Sequence, residues 1–349
     1  VVITKGRDIM DMLKAGVIGC GRISSVYLDA FQKMDGTVKV CCAADKVLKR
    51  AEAFAGHFPG CTAYQSVEEM LLKEDVDVIH VLTPHFLHKE HVIRSLNAGN
   101  HVLTEKPIAI YPEDAREMIR TAKENHRQFG VIFQNRYIPG IREARRMVEA
   151  GELVHPIGAF SNLNWFRPAS YYECDWKGRW ETEGGGVVID QAIHSIDMVR
   201  YLIDRPVESI CAHIDRRVLT NIEVEDVADA VIRFEGGALY SFYACNYYTY
   251  NASIRIQVHF ENGKVTLTDN DTVIIERDGE APRVIDSDGN TDGGESYWGK
   301  HHLTQLQDFY RCLAAGEPVP VNPEDATRTL EVVQGIYESS KAGKTIFFA

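Results

Sequence analysis

At 349 residues the chain exceeds the size at which a single hydrophobic core keeps growing, about 250 to 300 residues, and so implies two domains. Hydrophobic residues at 45% and charged residues at 25% exclude a disordered or fibrous chain. With 50 acidic against 38 basic side chains, a formal charge of -12, no field draws nucleic acid or an anionic membrane, and the longest apolar runs are only strand-length.

Residues 1–12 carry Lys5 and Arg7 but neither an apolar segment nor a small-residue cleavage site, and read as an extension rather than a secretory signal. From Leu13 to about Phe133, short apolar runs alternate with amphipathic stretches. The pattern predicts strands over 13–19, 38–44, 76–82, 101–104 and 129–133, with helices over 23–33, 46–57, 66–72, 86–98 and 112–125. Mostly apolar strands that alternate with helices imply a parallel sheet covered on both faces. Beyond Phe133 the pattern changes. A helix over 139–150 stops at Gly151, and an aromatic segment from Trp165 to Trp180 leads to the glycine triplet 184–186 and a helix over 188–202. Period-2 strands follow over 207–217, 228–234, 238–244, 254–260 and 263–268, and the turns Glu235-Gly236-Gly237 and Glu261-Asn262-Gly263 suit antiparallel connections. Residues 286–295 read as a mobile loop, and helices over 300–315 and 323–342 close the chain.

The expected fold class is therefore α/β: a Rossmann-type, doubly wound parallel sheet over 13–134, after the extension 1–12, and an α+β domain with an open, largely antiparallel sheet over 135–349. Eight cysteines, at positions 20, 41, 42, 61, 174, 211, 245 and 312, form no C-x-x-C and no metal-like pairing with histidine. They read as reduced, mostly buried thiols of a cytoplasmic protein.

The first strand runs into Gly19-Cys20-Gly21 and then a helix. Gly19 permits a tight turn, and Gly21 lets the backbone approach a pyrophosphate seated on the helix N-terminus. Ser24 occupies the third glycine position of the dinucleotide fingerprint, small enough for close packing. Asp45, at the end of the second strand, is placed to accept the adenosine ribose hydroxyls and repel a 2′-phosphate, which favours NAD; Lys46 beside it leaves NADP possible. The alternative for Asp45 is an N-cap of the helix that follows.

Thr104-Glu105-Lys106-Pro107 falls at the carboxyl end of a parallel strand, where open α/β sheets place ligands. A lysine there is suited to hydrogen-bonding a substrate hydroxyl, or is simply solvated beside a turn proline. Asp190 and His194, four residues apart after a flexible glycine run, read as a carboxylate that orients an imidazole for proton transfer, or as a buried histidine with a satisfying partner. Asp197 could add an oxygen ligand one turn on, but no second His or Cys completes a metal set, so no metal is expected.

Together these stretches resemble the Gfo/Idh/MocA oxidoreductase family, through Gly19-Cys20-Gly21, Thr83-Pro84-His85-Phe86-Leu87-His88, Glu105-Lys106-Pro107, the glycine triplet with Asp190 and His194, and His302-Leu303-Thr304-Gln305 leading to Asp308-Phe309. The resemblance implies an NAD(P)-dependent oxidoreductase acting on sugars or polyols, with Lys106, Asp190 and His194 at the catalytic positions. For the cofactor it implies Gly19, Gly21, Arg22, Ile23 and Asp45 from the first loop, with Thr83, Pro84, His88, Glu105, Lys106 and Gln134 from later strand ends. Position 85 is His where the family often has Asn. On this reading His194 takes the hydroxyl proton, Lys106 polarises the hydroxyl, and Asp190 fixes the imidazole.

The densest aromatic and basic cluster, Trp165-Phe166-Arg167, Tyr171-Tyr172 and 176–180, suits stacking on sugar rings and holding a carboxylate. Tyr172, Trp176 and Arg179 are the expected substrate contacts, joined by Arg136 near the nicotinamide and by His302. The substrate expected is a sugar, glycoside, uronic acid or polyol. The same residues would serve a glycoside-cleaving or epimerising enzyme that works through a transient keto-sugar, and a non-catalytic dinucleotide or sugar sensor is a third class. An open sheet with one uncovered face suggests a homodimer or homotetramer.

Overall fold

The structure, a computed structural model, describes residues 12–287 and 301–348. The extension expected over 1–12, and the loop expected over 286–295 from residue 288 on, lie outside the described residues apart from Met12. Six strands form the first sheet: β1 (Leu13–Ile18), β2 (Val38–Ala44), β3 (Thr62–Tyr64), β4 (Val78–Val81), β5 (His101–Thr104) and β6 (Phe129–Val131). Their order is β3-β2-β1-β4-β5-β6 and every pair is parallel. The order reverses between β1 and β4, which opens a crevice at their carboxyl ends. Helices α1 (Ser24–Lys33), α2 (Leu48–Ala55), α3 (Val67–Lys73), α4 (His88–Asn97) and α5 (Pro112–Glu124) make the crossovers.

The chain then forms α6 (Pro139–Glu149), β7 (Pro156–Asn164), a π-turn (Val187–Ala192) and α7 (Ile193–Ile203). Next come β8 (Val207–Asp215), β9 (Val227–Phe234), β10 (Leu239–Cys245), β11 (Arg255–Phe260), β12 (Gly263–Leu267), β13 (Val273–Arg277) and β14 (Arg283–Ile285). Finally α8 (His302–Ala315) and α9 (Pro323–Ala342) lead to β15 (Ile346–Phe347). The second sheet has the order β14-β13-β12-β11-β7-β10-β9-β8-β15 and is antiparallel except for the β7–β10 pair.

Four departures from the sequence expectation bear on function. The central strand β7 was not foreseen, because Gly158, Ser161 and Asn162 dilute its alternation even though every second residue from Ala159 to Leu163 is buried. The short edge strands β3, β13, β14 and β15 also escape a periodicity argument. The helix expected from 188 begins instead as a π-turn, and regular α-helix starts only at Ile193. Lastly, α8 returns to the first sheet: Leu306, Phe309 and Tyr310 pack with Val17, Tyr27, Val78 and Leu103, and Tyr310 hydrogen-bonds His80 of β4 at 2.7 Å.

Candidate active site

A cleft of about 1170 Å³ lies over the carboxyl ends of β1, β2, β4 and β5, covered by residues 165–177, the end of the π-turn, and His302. Gly19, at φ +95°, carries the chain into it; a Cβ there would stand 2.8 Å from the Leu82 backbone. A Cβ on Gly21 would meet nothing within 4 Å, so this glycine leaves room on the cleft side. The N-terminus of α1 has no side-chain cap. Ser24, at the third position, is buried and donates its hydroxyl to the Gly21 carbonyl at 2.7 Å, closing the loop beneath the cleft.

Asp45 is buried and braces this loop: Oδ2 accepts the Cys20 amide at 2.9 Å and Oδ1 the Val47 amide at 2.8 Å. It is not the helix cap, since α2 starts at Leu48 with Val47 in the capping position. Open space at Gly21, an uncapped helix end and a carboxylate at the β2 terminus fit a dinucleotide. Lys46 reaches across the cleft mouth to Asp175 at 3.2 Å.

Arg22, Ile23, Thr83, Pro84, Glu105, Lys106 and Gln134 line the cleft as the sequence anticipates. His88 does not. It is fully buried, with Nδ1 2.7 Å from the Pro107 carbonyl and Nε2 2.8 Å from the Thr83 carbonyl, and so ties together the two loops that do face the cleft. His85 takes the cleft position, its Nδ1 2.8 Å from the Glu183 carbonyl and its ring 5.0 Å from that of Trp176.

The acid–base cluster differs from the dyad read in the sequence. Lys106 Nζ donates to the Asp190 main-chain oxygen at 2.6 Å and lies 3.6 Å from Oδ1. Asp190 Oδ2 accepts Lys177 Nζ at 2.5 Å, Tyr171 Oη at 2.9 Å and Gln191 Nε2 at 2.5 Å. Burial alone would raise the Asp190 carboxyl, but Lys177 and Lys106 outweigh it and hold the group well below the usual range. Lys177 also pairs with Glu183 at 3.0 Å; burial pushes that second carboxyl up to about 8.

His194 makes no hydrogen bond to Asp190, and its Nδ1 has no hydrogen-bond partner among the described residues. Both residues line the cleft, on either side of the junction between the π-turn and α7, but the Asp190 carboxylate is taken up by Lys177, Tyr171 and Gln191. Burial, then Lys106 and His302, hold the His194 imidazole well below its ordinary pKa, against the pull of Asp190. Its carboxylate-bound counterpart is His302, a buried cleft residue whose Nε2 lies 3.5 Å from Glu105 Oε1, the oxygen that also accepts Tyr27 Oη at 2.8 Å.

Of the expected substrate contacts, Trp176 and His302 line the cleft. Three do not. Tyr172 is buried against Ile222 and Val224 and accepts a hydrogen bond from Asn246 at 3.0 Å. Arg179 is exposed outside the cleft lining. Arg136 is buried in a structural network, forked onto Asp197 at 2.7 and 2.5 Å and bonded to Asp325 at 2.5 Å, which also removes Asp197 from any metal role.

Tyr171, Arg167 and Lys177 line the cleft instead, and Arg22, Arg167 and Lys177 stand 5.2, 5.1 and 4.6 Å from the Tyr171 ring. Sequence reasoning singled out this aromatic and basic cluster but not which members face inward, since it lies in short turns without a helix or strand period.

Residues 13–133 match the profile of an oxidoreductase family with an NAD-binding Rossmann fold, and residues 141–266 match the Gfo/Idh/MocA C-terminal domain. The chain is 26% identical over 330 residues to scyllo-inositol 2-dehydrogenase (NAD(+)) of Bacillus subtilis (strain 168), covering 92% of each chain. It is 27% identical over 247 residues to D-glucoside 3-dehydrogenase of Escherichia coli (strain K12), covering 65% of this chain and 68% of that one. Among solved structures, the WlbA dehydrogenase of Bordetella pertussis, in complex with NADH and UDP-GlcNAcA, superposes with a TM-score of 0.86 at 25% identity, over 97% of this chain and 99% of that one.

Proposed function

The chain belongs to the Gfo/Idh/MocA family of NAD-dependent oxidoreductases, and on that premise we propose that it interconverts a secondary hydroxyl and a ketone on a sugar, glycoside, uronic acid or polyol. The observation that carries this reading is Lys106, held by both the main-chain and side-chain oxygens of Asp190 inside the cleft that the glycine loop opens. NAD, when bound, supplies the acceptor for the hydrogen on the reacting carbon.

The protein's part is to bind, orient and move a proton. Gly19, Gly21 and the α1 N-terminus present backbone to a pyrophosphate, with Asp45 bracing the loop. Lys106 donates a hydrogen bond to the substrate oxygen, which favours its deprotonation. His194 is kept neutral by burial and by the neighbouring ammonium, and so accepts the proton at an imidazole nitrogen. Asp190 holds Lys106 in place through its main-chain oxygen rather than hydrogen-bonding the imidazole.

Lys106→Met and His194→Ala are each expected to lower turnover about 100-fold or more while NAD binding survives. The assay is a panel of polyols, aldoses, uronic acids and glycosides with NAD and NADP, followed by reduced-nicotinamide absorbance. Wild-type turnover in either variant would remove the assignment. Product from a glycoside without accumulation of reduced nicotinamide would identify the transient keto-sugar chemistry instead. For a partner, the outer sheet face, with Phe160, Val231 and Leu239 exposed on neighbouring strands, supports a second copy of this chain.

A further inference from the structure

The turn that carries Asp190 is held from below by a buried carboxylate on another element. Glu225, in the loop before β9, accepts the Gly186 amide on Oε2 at 2.8 Å, and the Val188 amide and Tyr337 Oη on Oε1, each at 3.0 Å. Its main-chain oxygen takes the Val187 amide at 3.2 Å. Tyr337, from α9, in turn accepts the Ile189 amide at 3.2 Å and is packed by Trp180 with ring centroids 5.3 Å apart. Four successive amides of the turn therefore end on Glu225 and Tyr337, three of them on the carboxyl–phenol pair, and the Asp190 amide closes onto the Gly186 carbonyl at 3.0 Å.

Two glycines of the triplet serve this contact, while Gly184 packs against Ile110. A Cβ on Gly186 would overlap the Glu225 carbonyl, and one on Gly185 would overlap the Tyr337 hydroxyl. The run is thus a packed seat, not the flexible hinge that its composition suggests.

Three donors, two amides and one phenol, face the two Glu225 oxygens, a set that suits the acceptor-only ionised carboxylate; a protonated carboxyl brings an O–H of its own among those donors. No cation stands among the described residues that face it. Tyr337 faces it from α9, and Glu183 lies near Tyr337. Asp226 on its own loop is turned to the amides of Arg217, Val218 and Leu219, and the π-turn offers backbone amides only, its Asp190 facing Lys106 and Lys177.

We infer that Glu225, with Tyr337, is a positioning residue whose ionised carboxylate sets the π-turn and thereby the aim of Asp190 at Lys106. This rests on the catalytic role proposed for Lys106. Burial pushes the Glu225 carboxyl up to about 7, so on the acid side of neutrality its O–H turns against one of the three donors and re-aims the turn, while His194 and Asp190 keep their charge states.

The test uses the NAD-loaded enzyme in two arms. In the first, wild-type turnover falls as pH drops through about 7. Glu225→Gln, whose amide always turns N–H toward one of the three donors, shows turnover about 10- to 100-fold lower and flat across that range, with affinity for NAD unchanged. Tyr337→Phe removes one donor that favours ionisation, so the midpoint of the fall moves upward. In the second arm, amide hydrogen exchange is measured at Val188 and Ile189, where protection is weaker in Glu225→Gln than in wild type at every pH. A wild-type acid limb in Glu225→Gln, or protection unchanged by the substitution, would overturn the inference. Should no sugar be turned over, the proposed function fails and the exchange arm still decides the seat. Should Glu225→Gln not fold, the midpoint shift and Val188 exchange in Tyr337→Phe decide it.

Discussion

Two glycine turns in this protein are each braced by a buried carboxylate, and they use the missing side chain for opposite ends. At Gly19-Cys20-Gly21, Asp45 takes the amides of Cys20 and Val47, and the space beside Gly21 is left open to the cleft. At Gly185-Gly186, Glu225 takes the amides of Gly186 and Val188, and the space is filled by Tyr337 and by Glu225 itself. The first turn makes room for a ligand and the second makes room for the protein's own support. Motif spacing alone does not separate the two, because glycine records only that something comes close.

The comparison breaks most readily at Gly186. Gly186→Ala drives a methyl group into backbone rather than into a movable side chain, and is expected to cost about 2–3 kcal/mol or more, lowering Tm by several degrees with or without cofactor. Gly21→Ala should leave Tm within about a degree but weaken NAD binding at least about tenfold, roughly 1.4 kcal/mol. Thermal melts with and without NAD read both. If Gly21→Ala melts early without cofactor, or Gly186→Ala melts like wild type, the two turns do not differ in the way described.

Asp45 sharpens the contrast at smaller cost. Asp45→Ala leaves the Cys20 and Val47 amides without their acceptor, a loss of about 1–3 kcal/mol per buried group, part of it expressed as NAD affinity. Asp45→Asn keeps one acceptor and should fall between. A purely ribose-directed Asp45 would instead change the NAD to NADP ratio with no effect on the melting of the cofactor-free protein.

The legible parts of the fold were those with a long apolar period: β2 and β5 and the long helix α9 fall where the residue pattern puts them. The glycine-loop side of the cleft was legible because a strand, two glycines and an acid are local in sequence. The Lys106 side was not. The four-residue spacing of Asp190 and His194 does not announce that Lys177, Tyr171 and Gln191 take up the Asp190 carboxylate, and no apolar pattern announces a π-turn. Arg136 and Arg179 both read as substrate contacts, yet one satisfies Asp197 and Asp325 in the interior and the other is exposed. Tyr171 and Tyr172 are adjacent and chemically identical, and only the turn decides which of them meets Asp190. Lys177 and Glu225 come from separate segments, so their convergence on one turn is a tertiary fact.

The smallest expected effect separates the two halves by the sign of their response to acid. His80 in β4, His101 in β5 and His91 in α4 are held down by burial, to about 3, 4 and 4. Each binds fewer protons in the folded chain than in the unfolded one, so its contribution to stability is complete above about 6.5 and is lost as pH falls toward those values. Glu225, raised from 4.5 to about 7, has the reverse sign: its contribution is complete below 4.5 and is lost as pH rises through 7. Each proton corresponds to a slope of about 1.4 kcal/mol per pH unit. Urea midpoints between pH 7 and 4 should therefore decline less steeply in His101→Gln, which can still accept the Gln128 amide that His101 Nδ1 holds at 2.9 Å. The decline should be steeper in Glu225→Gln. Equal slopes in the two variants would mean that the histidines of the first sheet and the seat under the second turn do not oppose each other as their burial dictates.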